Sequence, residues 1–248
     1  MTSDPGHQGL VCYHFGPVPV WFAGSWKTFY KTFIAVLMAR YGSDPRVGYR
    51  RFGLSEGGET YPECVSGLMT TFGWTEDQLN SQWLAYIAEM TSYQASLPHT
   101  VQLTTALNQY GTNAQQNHYP LPAAQYAVCD AEAANAVALG MGFGTQGLQL
   151  SDVTSYPSPC QSDWCAAFAN QTAVLRYLQT FGVSSPAGLP PAGSLTTTLP
   201  FAVSLGATMF EIFVQDWQVA YDPTSPNYSA YGAAYRALFS QIEQSLGY

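Results

Sequence analysis

Arg50-Arg51-Phe52-Gly53-Leu54-Ser55-Glu56-Gly57-Gly58-Glu59-Thr60-Tyr61-Pro62 is the stretch on which the reading of the fold turns. The run from Val47 to Leu54 has strand character and leads into a glycine-rich turn bearing two carboxylates, with a helical pattern beyond it. In an α/β barrel, side chains at the ends of strands meet the substrate. Glu59 sits beside glycines that let backbone and ligand approach closely, which suits a catalytic acid. Glu56 reads instead as a charge on a solvated loop.

Outward from this stretch, strand-like and helical patterns alternate. Phe29 to Tyr41 reads as a helix, and Glu63 to Ser96 as a long helical region broken near Gly73-Trp74, with Thr75 as the cap of its second part. Val101 to Leu107 is a strand ending at Asn108, and Pro122 to Leu139 an alanine-rich helix. Met141 to Thr145 is a strand ending at Gln146, Asp163 to Asn170 a short helix, and Val174 to Leu178 a strand ending at Gln179. Leu195 to Leu205 reads as a helix with Pro200 near its first turn. Ala207 to Phe213 is the last strand and carries Glu211, and Tyr231 to Leu246 is an amphipathic helix.

This alternation predicts a parallel sheet covered by helices. A polar residue recurs at or near each strand end: Glu59, Asn108, Gln146, Gln179 and Glu211. Their convergence favours a (β/α)8 TIM-type barrel in a single domain over residues 1–248. The residues ahead of Val47 suffice for about one βα unit. The barrel is therefore expected to lack N-terminal βα units, and a partner chain would then shield its exposed strand edges.

Composition narrows the chemistry. Only 10% of the 248 residues are charged against 47% hydrophobic and 15% aromatic, so there is ample material for a core. The net charge of −8 with 8 Lys and Arg argues against a nucleic-acid partner. No apolar run reaches the length needed to span a bilayer. Few charges with abundant Tyr, Trp, Asn and Gln suit a neutral polar ligand such as a carbohydrate. Neither a dinucleotide glycine fingerprint nor a phosphate-binding P-loop occurs. The four histidines are scattered and no CxxC pair exists, so no metal or other cofactor is expected. Cys160 and Cys165 are spaced to close a short disulfide loop in an exported protein, although Met1-Thr-Ser-Asp-Pro-Gly opens no signal peptide. Asn170 and Asn227 open N-glycosylation triplets.

Gly53-Leu54-Ser55-Glu56-Gly57-Gly58-Glu59, followed by Tyr61-Pro62, resembles the acid-bearing strand end of (β/α)8 glycoside hydrolases, and most closely the β-amylase motif G-L-G-P-A-G-E-L-R-Y-P. Ser55-Glu56-Gly57 stands in place of the central G-P-A, and one residue fewer separates Glu59 from Tyr61. The resemblance covers about a tenth of the chain. It implies that Glu59 is the general acid and that Glu211 takes the role of the second carboxylate, which attacks the sugar or activates water. It also places Gln179 on the strand that usually bears that carboxylate, where an amide cannot serve.

Glu211, flanked by Phe210 and Ile212, has a second reading as a buried carboxylate paired with Arg50 or Arg51. Asn108, Gln146 and Gln179 would hold sugar hydroxyls, and Trp217 and Trp26 would stack on sugar faces or fill the core. Asp216 is a third acid outside the pocket. A glycoside hydrolase is thus expected, with a non-catalytic carbohydrate-binding barrel or a truncated barrel fragment as alternatives.

Overall fold

Five parallel strands in sequential order, β3-β4-β5-β6-β7, form the main sheet of the computed structural model, which describes residues 10–12, 16–18, 24–54, 65–107, 123–154, 164–173 and 175–247. The chain opens with a short antiparallel pair, β1 (Leu10–Cys12) and β2 (Gly16–Val18), which forms a sheet of its own. Then follow α1 (Gly24–Tyr41), β3 (Tyr49–Phe52), α2 (Val65–Phe72), α3 (Glu76–Ser96), β4 (Gln102–Ala106) and α4 (Ala123–Ala138). The second half comprises β5 (Gly142–Leu148), α5 (Leu150–Thr154), α6 (Trp164–Asn170), β6 (Arg176–Thr180), α7 (Leu195–Ser204), β7 (Met209–Glu211), α8 (Val214–Tyr221) and α9 (Tyr228–Leu246).

The expected (β/α)8 barrel is therefore corrected: five strands, not eight, form the parallel sheet among the described residues. The physical reason lies ahead of Tyr49. Leu10–Cys12 pairs antiparallel with Gly16–Val18, and an 18-residue helix follows, so neither segment adds a parallel strand.

The sheet is nonetheless curled. Laid flat, its outer strands would stand about 19 Å apart, four spacings of about 4.8 Å. Yet Tyr49 and Arg51 on β3 both reach Glu211 on β7. The contacts between the outer strands mark one face as concave, and both apolar clusters pack helices against the other.

Register assigns side chains to these faces. Arg51 is opposite Thr104, Thr104 opposite Gly142, Gly144 opposite Tyr177, and Gln179 opposite Glu211. These residues share the concave side. A Cβ at Gly144 would run into the carbonyl and ring of Tyr177, so only glycine lets that ring lie across β5. A register shift between Thr145 and Leu148 then turns Leu148 back into the core.

On the opposite face two apolar clusters form. One joins Phe52, Leu54 and Leu103 to Trp83, Tyr86 and Met90 of α3. The other joins Phe143 and Leu178 to Phe168, Leu199 and Tyr235 on α6, α7 and α9. Helix α3 starts as the sequence predicts: the Thr75 hydroxyl accepts from the Gln78 N–H at 3.3 Å, and the Gln78 side chain accepts from the Thr75 N–H at 2.9 Å. Helix α7 carries Pro200 as its sixth residue rather than in its first turn.

Candidate functional site in the concave face

The alternation of Tyr49-Arg50-Arg51-Phe52 points Tyr49 and Arg51 into the concavity and leaves Phe52 in the helix-side core. From the far edge, Glu211 is the last residue of β7 and Gln179 its register partner on β6. Arg51 Nη1 donates to Glu211 Oε2 at 2.6 Å and to Gln179 Oε1 at 3.2 Å. The Tyr49 hydroxyl donates to Glu211 Oε1. One donor on each oxygen demands an acceptor, so the geometry fits Glu211 as a carboxylate. The Arg51 and Glu211 side chains are 24% and 18% exposed, which keeps most of the pair out of water but leaves the carboxylate reachable.

Beneath this pair lies Tyr177, fully buried, with the Arg51 guanidinium 5.4 Å from its ring centre. Its hydroxyl makes no hydrogen bond among the described residues. Burial pushes the Tyr177 phenol up, with Arg51 opposing. Burial, followed by the hydrogen bond to Glu211, likewise pushes Tyr49 up, so both phenols stay protonated donors at neutral pH. For Arg51, burial works against the charge, but Tyr177, Glu211 and Tyr49 outweigh it and the group is held more firmly protonated.

The register shift between Thr145 and Leu148 interrupts the alternation of β5 at Gln146, whose buried Oε1 also lacks a partner among the described residues. The concave face thus carries the Glu211 carboxylate with its Tyr49 and Arg51 donors, the Gln179 amide, and the Tyr177 hydroxyl, which has no hydrogen-bond partner among the described residues. That mixture matches a ligand rich in hydroxyl groups. Among the described residues there is no cluster of side chains able to hold a metal ion. No helix there is long and apolar enough to cross a membrane.

Of the residues singled out from sequence, the structure brings Gln179 and Glu211 together and leaves Gln146 in the register irregularity of β5 with its Oε1 buried. Glu59 and Asn108 lie outside the described residues, as does Cys160; Cys165 is disulfide-bonded. Trp26 stands away from the concave cluster on α1, half-buried, stacked on Tyr30 at 5.4 Å and donating to the Tyr86 hydroxyl at 3.4 Å. Trp217 also stands apart, on α8 and half exposed. Asp216 is fully buried and accepts from the Ser184 N–H at 3.0 Å and from the Ser184 hydroxyl, whose oxygen lies 2.7 Å from the Tyr235 hydroxyl. It ties the loop after β6 to α8 and α9.

Tyr49 and Tyr177 belong to the site and were not singled out. The signal was period two: Tyr49 with Arg51, and Tyr177 with Gln179. Compared with protein-family models, curated proteins and solved structures, the chain matches none.

Proposed function

We propose that the concave face binds a neutral carbohydrate and that the protein cleaves O-glycosidic bonds, with Glu211 as the carboxylate and Glu59 as the acid. The observation that carries this reading is the Glu211 carboxylate at a strand end, fixed by Tyr49 and Arg51 above the buried Tyr177. A carboxylate already held by two donors is oriented before substrate arrives, so little reorganisation accompanies reaction. Its side chain remains 18% exposed, so a ligand can reach it. It would attack the anomeric carbon or take a proton from water, while Glu59 protonates the leaving oxygen. The glycine-rich segment that bears Glu59 follows β3, the strand that supplies Tyr49 and Arg51. The disulfide at Cys165 supports an exported protein.

A non-catalytic sugar binder is the second reading, favoured by one observation: both Glu211 oxygens are engaged by the chain itself, as in a structural clasp. Hydrolysis of a panel of aryl glycosides and oligosaccharides by the parent, Glu59→Gln and Glu211→Gln separates the two. Glycosidase activity predicts turnover lost in both variants, with sugar-dependent thermal stabilisation retained in Glu211→Gln. Stabilisation by sugar without turnover in the parent selects the binder. Turnover undiminished in Glu211→Gln excludes Glu211 as the carboxylate.

A further inference from the structure

Beyond the concave face, α8 carries an aromatic surface with the features of a binding site. At 3.6 residues per turn, Val214, Trp217, Gln218 and Tyr221 fall within an arc of about 100°. All four are exposed, Trp217 at 50% and Tyr221 at 45%. These aromatics are packed on one another. Trp217 lies flat on Phe239 of α9, ring centres 5.5 Å apart and planes 19° apart. Tyr221 lies at 20° to the same ring and 4.3 Å from Trp217. Phe239 is itself 9% exposed, so the two outer rings rest on a buried floor.

A groove of about 300 Å³ adjoins them, running along β7 past Phe210 and Ile212 to Leu246. Among the described residues Glu243 is the only charged one that lines it, and Arg51, Gln179 and Glu211 are not part of its lining. It is a place separate from the concave cluster.

We propose that Trp217 and Tyr221, with Gln218 and Glu243, form a second, non-catalytic binding site for a neutral oligosaccharide. The apolar C–H face of a sugar ring matches a flat, immobilised indole. The Gln218 amide can donate to and accept from sugar hydroxyls, and the Glu243 carboxylate accepts from them. Because the rings are fixed before binding, little side-chain entropy is lost. An anionic membrane or polyanion finds no cation in the groove and meets Glu243 instead.

The test is titration calorimetry of the full chain with maltoheptaose, cellohexaose and chitohexaose, repeated on Trp217→Ala, Gln218→Glu and Glu211→Gln. The expected result is binding of at least one oligosaccharide, weakened about tenfold by Trp217→Ala, the worth of one aromatic contact. Gln218→Glu weakens the same oligosaccharide, and it changes only an exposed helix position, so it reports even if Trp217→Ala is poorly folded. Glu211→Gln leaves this binding intact. Failure of all three oligosaccharides to bind the parent overturns the site. Binding lost in Glu211→Gln but kept in Trp217→Ala and Gln218→Glu also overturns it, and assigns the sugar to the concave face alone.

Discussion

Glu211 and Asp216 stand five residues apart and meet opposite surroundings. Glu211 has a cation at 2.6 Å; Asp216 is buried with hydroxyl and amide donors and no cation among its hydrogen-bond partners. Burial therefore pushes the Asp216 carboxyl up, and the donors from Ser184 only oppose it. A group that holds its proton more tightly folded than unfolded lends stability that is fully present below its unfolded value, about 3.9 for Asp. That stability is lost as pH rises through the raised folded value. Asp216→Asn cannot ionise, so the parent is expected to lose stability relative to this variant as pH rises from 3 to 7. Urea unfolding of both proteins across that range measures it, and a difference independent of pH would refute it. Nothing in the local sequence separates the two acids in this respect. Tyr49 and Arg51, at least 160 positions away from Glu211, supply partners that Asp216 does not have.

Elements were legible where local chemistry closes on itself. Thr75 and Gln78 satisfy each other's backbone at the start of α3, a pattern complete within four residues. Thr75→Ala should cost about 1 kcal/mol, read as a lower urea midpoint with unchanged slope. An unchanged midpoint would mean that tertiary packing, not the cap, sets the start of α3. The strands at 102–106, 142–148 and 176–180 are likewise legible, as short segments with β-branched and aromatic residues between helical patterns. Two short helices, α5 and α8, were not. At five and eight residues they carry too few turns for a periodic pattern. Pro200 was expected near the first turn of its helix but sits as the sixth residue of α7. There burial of Leu195, Leu199 and Ala202 against the second apolar cluster outweighs the missing N–H.

At the scale of the whole molecule, the contacts from Tyr49 and Arg51 to Glu211 join the first and last strands of the parallel sheet, which share no backbone ladder. They form a clasp across the open side of a curled sheet. Arg51→Met leaves a mostly buried carboxylate without its cation and should destabilise by about 3 kcal/mol. Replacing both partners, as Arg51→Met with Glu211→Leu, removes the stranded charge and should recover most of that loss. Chemical denaturation of the parent, the single and the double variant tests this. A neutral single variant would show that the sheet holds its curvature without the clasp.

The sequence by itself determined the alternation of strands and helices and the parallel sheet with its helix-side core, because burial and hydrogen bonding write those patterns at periods of two and 3.6 residues. It also marked Gln146, Gln179 and Glu211, since a polar residue at the end of an apolar strand stands out locally. Strand number was decided only in three dimensions: whether Leu10–Cys12 and Gly16–Val18 join the large sheet or pair with each other depends on partners that their own residues do not encode. The pairing of Tyr49 and Arg51 with Glu211 was decided there too, as was the seating of Trp217 on Phe239 rather than in the concavity. Those contacts join residues far apart in the chain, and it is the curl of the sheet and the packing of α8 on α9 that bring them within reach.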